Sequence, residues 1–300
     1  MRWVRNYTPQ TGQAALYRRA LWITLAGNIF LAASKGIVAY MTGSAAVFAD
    51  AANSISDVAY SLMMVLGLWV AMQPPDLSHP QGHARFEPLV GLLVTVSMGF
   101  AGFEAGRNAI ERFISGGQAV SLGLPSIVLL AAAAIKAGMF VAITRIARQV
   151  HSPTLATTAK DNLSDVLTSA AAFIGVFGSH YIHPLLDPAA GILVAIWIFR
   201  AAFLSGKEHL GYLTGVSAPP ELREKIIAIT RETEGVTDVH RMVTEYVGPQ
   251  VVVDMHINVE GSMTLDEAHR ISDEITNRVE ALPEIDRVYI HVEPNHSEND

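Results

Sequence analysis

The sequence predicts an α-helical membrane protein of six transmembrane helices followed by a small C-terminal cytoplasmic α+β domain. Three observations lead there. The 300-residue chain is 50% hydrophobic and only 16% charged, where a soluble protein carries about a quarter charged residues. Its first two thirds hold six apolar runs, and about 20 such residues suffice to cross a bilayer. Its last third changes to short alternating and amphipathic segments bounded by turn residues. Two domains are therefore expected, a membrane domain over residues 1–210 and a soluble domain over residues 211–300.

The apolar runs cover residues 20–40, 44–72, 87–113, 124–146, 153–177 and 187–204. They are separated at Thr42-Gly43, residues 74–85, Ser115-Gly116-Gly117, residues 145–152 and residues 179–184. Basic residues near span ends set orientation. Arg2, Arg5, Arg18 and Arg19 precede the first run, Arg85 lies in the second loop, Arg145 and Arg148 in the fourth, and Lys207 follows the sixth. Apart from Arg112, the intervening loops are nearly free of Lys and Arg. Both termini are thus expected in the cytoplasm, with the chain multi-pass in a plasma (bacterial inner) membrane. No small-residue cleavage site follows a short apolar core near the basic N-terminus, so the first run reads as a retained span rather than a signal peptide. The net charge of -7 argues against nucleic acid, which needs a basic face. There is no cysteine, which removes disulfides and thiolate ligands. Any metal must be held by imidazole, carboxylate, amide, backbone or water.

In the last third, Ala218-Pro219-Pro220 reads as a linker. Residues 221–234 form an amphipathic helix with Leu222, Ile226 and Ile229 on one face and Gly235 as its stop. A strand is expected around residues 239–247. Over residues 251–259, Val251, Val253, Met255 and Ile257 alternate with Asp254, His256 and Asn258, the pattern of a half-buried strand. Thr264-Leu265-Asp266-Glu267 is a capping box. It opens a helix with the apolar stripe Ala268, Ile271, Ile275, Val279 and Leu282. Residues 288–292 alternate again. The order α-β-β-α-β is that of a ferredoxin-like or metallochaperone-like domain.

The polar residues inside the apolar runs carry the chemistry. Asn53-Ser54-Ile55-Ser56-Asp57-Val58 in the second run is echoed by Asp161-Asn162-Leu163-Ser164-Asp165-Val166 in the fifth. Each segment places an oxygen ligand one helical turn before an aspartate, so the two side chains share a face. Corresponding polar interruptions in two spans point to a central transport site. Three carboxylates and an amide in apolar helices are costly unless paired or coordinating. Lys35, Lys136 and Lys160 are the visible intramembrane cations. A bound divalent cation resolves the cost, and protons carry the residual charge when metal is absent. That competition is the physical basis of metal–proton exchange. The bland alternative is a set of helix–helix hydrogen bonds or a buried Lys–Asp network. Asp50, close to one turn before Asn53, either supports the ligands or marks helix entry. Glu104, Arg107 and Lys136 read as ion pairs or snorkelling groups near span ends.

Two further groups lie outside the spans. Asp76, His79 and His83 in the second loop put two imidazoles four residues apart beside a carboxylate, a metal site in its own right or a polar loop capping the third span. Near the C-terminus, His291 and Glu293 share a strand face, and His256 lies on the polar face of its own strand.

Four-spaced ligands in the second and fifth of six spans, a His/Asp loop and an α-β-β-α-β tail together resemble the cation diffusion facilitator family over nearly the whole chain. The resemblance implies a homodimeric metal/proton antiporter in the lipid bilayer, working by alternating access. It has no cofactor beyond the divalent metal carried or sensed. It implies a transport site of Asn53, Asp57, Asp161 and Asp165, and a loop site of Asp76, His79 and His83. It also implies regulatory metal positions at His240, His256, His269, His291 and Glu293, where metal would favour dimer closure and so sense the cytoplasmic supply. Solvated surface histidines are the alternative at these last positions, and His296 falls in a tail expected to be disordered. Arg85 falls where relatives carry a basic residue that pairs across the dimer, with no clear acidic partner near Leu213 to Ser217. Zinc carriers of the family have His or Asp at the first ligand position and His at the third. Here Asn53 and Asp161 stand there, an all-oxygen set that suits Mn²⁺ better than Zn²⁺ and resembles the manganese-exporting branch. Iron(II) comes next, then zinc or cadmium. Two other classes compete with this reading. An intramembrane metalloenzyme needs a His-Glu-x-x-His segment or a nucleophile pair in the spans, and the sequence has neither. A membrane-anchored metal sensor would not depend on the intramembrane aspartates.

Overall fold

The computed structural model describes Val4 and residues 11–42, 45–116, 124–181, 183 and 185–295. It divides into two compact units, Met1–Leu210 and Gly211–Asp300.

The first unit is built from the helices α1 (Thr11–Thr42), α2 (Ala45–Ala71), α3 (Phe86–Ile114), α4 (Leu124–Val150), α5 (Pro153–Tyr181) and α6 (Leu186–Leu213). α1 begins well before its apolar run and α6 continues well past its own. Hydropathy reports contact with lipid, not helicity, and Ala14, Ala15 and Leu16 are strong helix formers whatever surrounds them. Beyond α6, Gly215 adopts φ 74°, a left-handed conformation that suits glycine at a helix end. Among the described residues, four helices are long and apolar enough to cross a membrane, over Ala14–Val38, Phe86–Ile114, Leu130–Val150 and Pro188–Leu213. The described part of α2 offers a shorter apolar stretch, Asp57–Ala71, and α5 carries Lys160, Asp161 and Asp165 within its first half.

Tyr17 and Leu21 of α1, Met64 and Leu68 of α2, Val90 of α3, Met139 and Ile143 of α4 and Leu155 of α5 share one buried cluster. The outer surface is also apolar: Trp22, Phe30, Trp69, Phe100 and Phe203 are all exposed. Water does not tolerate so extensive an apolar surface, and lipid does. Small residues let the helices approach closely. A Cβ on Gly91 would stand 2.1 Å from the His209 imidazole, so α3 and α6 meet there only because residue 91 has no side chain. A buried carboxylate adds polar ties. Glu87 at the start of α3 accepts from the Tyr17 hydroxyl of α1 at 2.9 Å and from the Ser152 hydroxyl, while its carbonyl accepts from Thr154 Oγ1 of α5 at 2.8 Å.

The second unit contains α7 (Pro220–Arg231), β1 (Val236–Val247), β2 (Gln250–Val259), α8 (Leu265–Glu280) and β3 (Ile285–Pro294). Pro220, read from sequence as linker, is the first residue of α7. Its fixed φ suits that position, and its missing N–H would have no partner there anyway. α7 stops before Gly235, which takes φ 94°. The sheet order is β1-β2-β3. β1 and β2 form an antiparallel hairpin, turning at Gly248 with φ 70°, whereas β3 returns parallel to β2 through α8. The capping box is formed in full: Thr264 Oγ1 accepts from the Glu267 N–H at 3.3 Å, and the Glu267 carboxylate accepts from the Thr264 N–H at 2.8 Å. These hydrogen bonds hold the Glu267 carboxyl below its usual range, with both the N–H and the hydroxyl of Thr264 contributing. One face of the sheet is the core, where Val251, Val253, Met255 and Ile257 of β2 pack with Ile226 of α7 and Ile271, Ile275 and Val279 of α8. Alternation then commits Asp254, His256 and Asn258 to the opposite face.

Candidate metal sites

Three clusters can be built from residues upward, one among the helices, one in the loop between α2 and α3, and one on the open face of the sheet.

The helix cluster joins α2, α4 and α5. Asp161 and Asp165 are one turn apart on α5, and Asp57 projects from α2. Asp57 and Asp161 line the same cavity, together with Asn28, Tyr60, Ser61 and Asn162. The cavity has room for about one water molecule or a comparable ion. Its polar walls are held by local bonds: Asn28 Nδ2 donates to Ser61 Oγ at 2.8 Å, Ser61 Oγ donates to the Asp57 carbonyl at 2.7 Å, and Asn162 Nδ2 donates to the Thr158 carbonyl at 2.9 Å. Asn53 and Asp50 belong to α2 by sequence position, and their side chains lie outside the described residues.

The cluster has a fourth charged member, Lys136, for which the sequence supports two readings. It reads either as an intramembrane cation in a buried Lys–Asp network or, with Glu104 and Arg107, as a pair or snorkelling group near a span end. Glu104 and Arg107 do form such a pair, at 2.8 Å and about half exposed on both sides. Lys136 does not belong with them. It sits near the middle of the 27-residue α4, its side chain is only 7% exposed, and its Nζ lies 2.7 Å from Asp165 Oδ2 and 3.1 Å from Asp57 Oδ2. The structure matches the Lys–Asp network, and the signal that decides between the two readings is depth, since an ionisable side chain that far from either helix end cannot snorkel to the interface.

In the loop, the Asp76 carboxylate accepts the His79 N–H at 2.6 Å, and the Asp76 N–H returns a bond to the His79 carbonyl at 3.2 Å. That closed turn, with Gly82 at φ 97°, brings His79 Nδ1 and His83 Nε2 each to 3.6 Å from the Asp76 carboxylate. The two imidazole centroids are 4.4 Å apart. The backbone hydrogen bond from His79 holds the Asp76 carboxyl below its usual range. One ligand atom from each of the three residues lies within 4.8 Å of the others.

On the sheet, His256 of β2 pairs with His291 of β3, and Asn258 with Glu293. Glu293 is the hub: its carboxylate lies 2.9 Å from His256 Nδ1, 3.4 Å from His291 Nε2 and 3.5 Å from His240 Nε2. The hydrogen bond from His256, reinforced by the surrounding imidazoles, holds the Glu293 carboxyl below its usual range. His240 reaches the cluster beside an irregularity. The register of β1 against β2 shifts between Val239 and Arg241. The neighbouring Val239 faces the core, which puts His240 on the open face with His256. Asn258 was not among the expected site residues, yet its Oδ1 accepts from His240 Nδ1 at 2.8 Å. That bond anchors Nδ1 and turns Nε2 toward Glu293, so Nε2 is the nitrogen that would ligate a metal once it carries no proton. His240, His256 and Glu293 each offer a ligand atom within 4.8 Å of the others. His269 is not brought to this group. It lies on α8, 73% exposed and 3.6 Å from Asp273, while α8 packs in the core on the other face of the sheet. His296 lies outside the described residues, and Arg85 stands at the N-cap of α3.

Comparison with known proteins gives matches along nearly the whole chain. The family described as cation efflux transmembrane domain matches residues 21–214, and the one described as cation efflux protein, cytoplasmic domain, matches residues 218–295. An uncharacterized transporter of Methanocaldococcus jannaschii is 32% identical over 92% of this chain and 97% of its own length. The manganese efflux system protein MneS of Bacillus subtilis is 28% identical over 91% of this chain and 93% of its own. A solved structure of CzrB is 34% identical over 26% of this chain and 99% of that one, with a TM-score of 0.25.

Proposed function

This chain belongs to the cation efflux, or cation diffusion facilitator, family of divalent-metal transporters, and from that premise we propose that it exports manganese(II) in exchange for protons. It is a membrane protein and a transporter, not an enzyme. The observation that carries the finer reading is the meeting of Asp57 and Asp161 at one polar cavity, with Asp165 one turn further along α5. A site made from these carboxylates and the Asn53 amide has only oxygen ligands, the set that favours a hard ion such as Mn²⁺ over Zn²⁺. Likeness to a manganese efflux protein at 28% identity points the same way.

In this reading all six long helices cross the bilayer, α2 and α5 carrying the site at mid-depth, and both termini face the cytoplasm. Metal enters from the cytoplasm and binds Asn53, Asp57, Asp161 and Asp165, displacing protons. The helices rock outward, and external protons re-occupy the carboxylates and release the metal. Two copies work together through the cytoplasmic domain. The loop triad of Asp76, His79 and His83 and the sheet cluster of His240, His256, His291 and Glu293 bind regulatory metal, with His269 outside that cluster.

Two experiments test this. Proteoliposomes with an acidic lumen are offered Mn²⁺, Fe²⁺, Zn²⁺ and Cd²⁺ separately. Manganese is expected to be taken up fastest, with uptake collapsing when the pH gradient is removed. Equal or faster zinc uptake would overturn the manganese assignment, and uptake of no metal would favour a membrane-anchored sensor. For the sheet cluster, Glu293→Gln is expected to weaken metal binding by about 10-fold or more, since disturbing even a group that only supports a metal's ligands costs about 10- to 100-fold. Calorimetric titration of full-length protein carrying Asp57→Ala, with and without Glu293→Gln, reads this directly. Identical binding in the two would remove the cluster from the list of metal sites.

A further inference from the structure

Lys136 is the one ionisable residue in the first two thirds of α4, before Arg145. It is buried, and its ammonium touches one oxygen of Asp57 and one of Asp165, from two different helices. We propose that Lys136 is a tethered counter-ion of the transport site: its ammonium holds Asp57 and Asp165 when no metal is bound, and the metal must displace it to bind. This rests on the reading of Asp57, Asp161 and Asp165 as transport ligands and adds to it a residue that sets affinity and turnover.

Three features carry the inference. First, the ammonium and a metal ion compete for the same lone pairs, because Asp57 both lines the cavity and accepts from Lys136. Second, the side-chain chemistry suits a displaceable ion. Lysine is a compact charge on a flexible stem, whereas arginine's fork would clamp both carboxylates in a fixed geometry. Third, the charge balance fits a divalent cargo. Three carboxylates outweigh the Lys136 ammonium, and with the buried Lys35 also acting on Asp57 the site keeps a net negative charge that a divalent cation offsets. Together with the protons that re-occupy the site, the same ammonium spares the empty carrier from returning with bare carboxylates in a medium that penalises them.

The role predicts opposite effects from two substitutions. In proteoliposomes with Mn²⁺ as the probe, Lys136→Met is expected to lower KM about tenfold or more, since a unit charge a few ångström from the ligands is removed. It should lower kcat as well, because metal release and return of the empty carrier both slow. Lys136→Arg is expected to raise KM by a similar factor. A residue that merely packed would lower the yield or kcat of both variants without moving KM in opposite directions. An unchanged or raised KM in Lys136→Met, at equal reconstituted amounts, overturns the inference. If that variant does not assemble, Lys136→Arg decides alone, and a parental KM in it overturns the inference equally. The arms also separate this from the underlying reading. Absence of Mn²⁺ uptake by the parent, or parental uptake by Asp57→Ala, defeats the transport site itself, whereas a parent that transports, a dead Asp57→Ala and an unmoved KM in both Lys136 variants defeat only the role of Lys136.

Discussion

Asp57→Ala is expected to reduce metal uptake by about 100-fold or more while leaving the protein folded in the membrane. Disturbing residues that only support a metal's ligands already costs about 10- to 100-fold, and Asp57 is proposed to be a ligand itself. It belongs to two assemblies at once, the cavity wall with Asp161 and the contact with Lys136. Removing one partner of a buried ion pair is ordinarily destabilising because it strands a charge. Here Lys136 keeps Asp165 at 2.7 Å, so the ammonium is not orphaned and the helices retain their packing. The cytoplasmic unit has its own apolar core and should be untouched. Initial-rate uptake at matched reconstitution, with size-exclusion profiles of both proteins, checks the two halves of this expectation. Parental uptake would exclude Asp57 from the transport site, and an aggregated variant would show that Lys136 needs both carboxylates.

Asp161→His is expected to move the ratio of zinc to manganese uptake toward zinc by about tenfold or more. Imidazole suits Zn²⁺, and affinities of nitrogen-containing sites rise from manganese toward copper and zinc. The substitution also removes a negative charge, which weakens a hard ion held mainly by charge more than one held by a softer nitrogen bond. Manganese uptake should therefore fall as zinc uptake is maintained or rises. The measurement is competition between the two ions in one vesicle preparation. An unchanged ratio would locate selectivity in the uncharged part of the cavity wall, in residues such as Asn28, Tyr60 or Asn162.

Much of this molecule could be read from short-range pattern. The capping box at Thr264, the alternation along β2 and the apolar stripe of α8 are local features, and each formed as its residues require. The pairing of Asp161 with Asp165 follows from helical pitch alone. The loop triad is also local, since one turn closes over Asp76 to His83.

Local pattern thus fixes everything whose geometry is set within a few turns of one element: helix existence, strand faces, caps, and the residue types that make oxygen and imidazole ligands. Tertiary structure alone decided how elements face one another. Whether Lys136 meets Asp57 and Asp165 depends on the rotation and depth of α4 against α2 and α5, which no spacing within α4 encodes. His240 joins the sheet cluster because β1 pairs with β2 in the register that sets it beside Asn258, and His269 stays away because α8 covers the opposite face. The physical reason is the same in each case. Backbone hydrogen bonding and hydropathy act along the chain, but the register between elements is chosen by side-chain packing and charge pairing among residues far apart in sequence, and that register decides which ionisable groups meet.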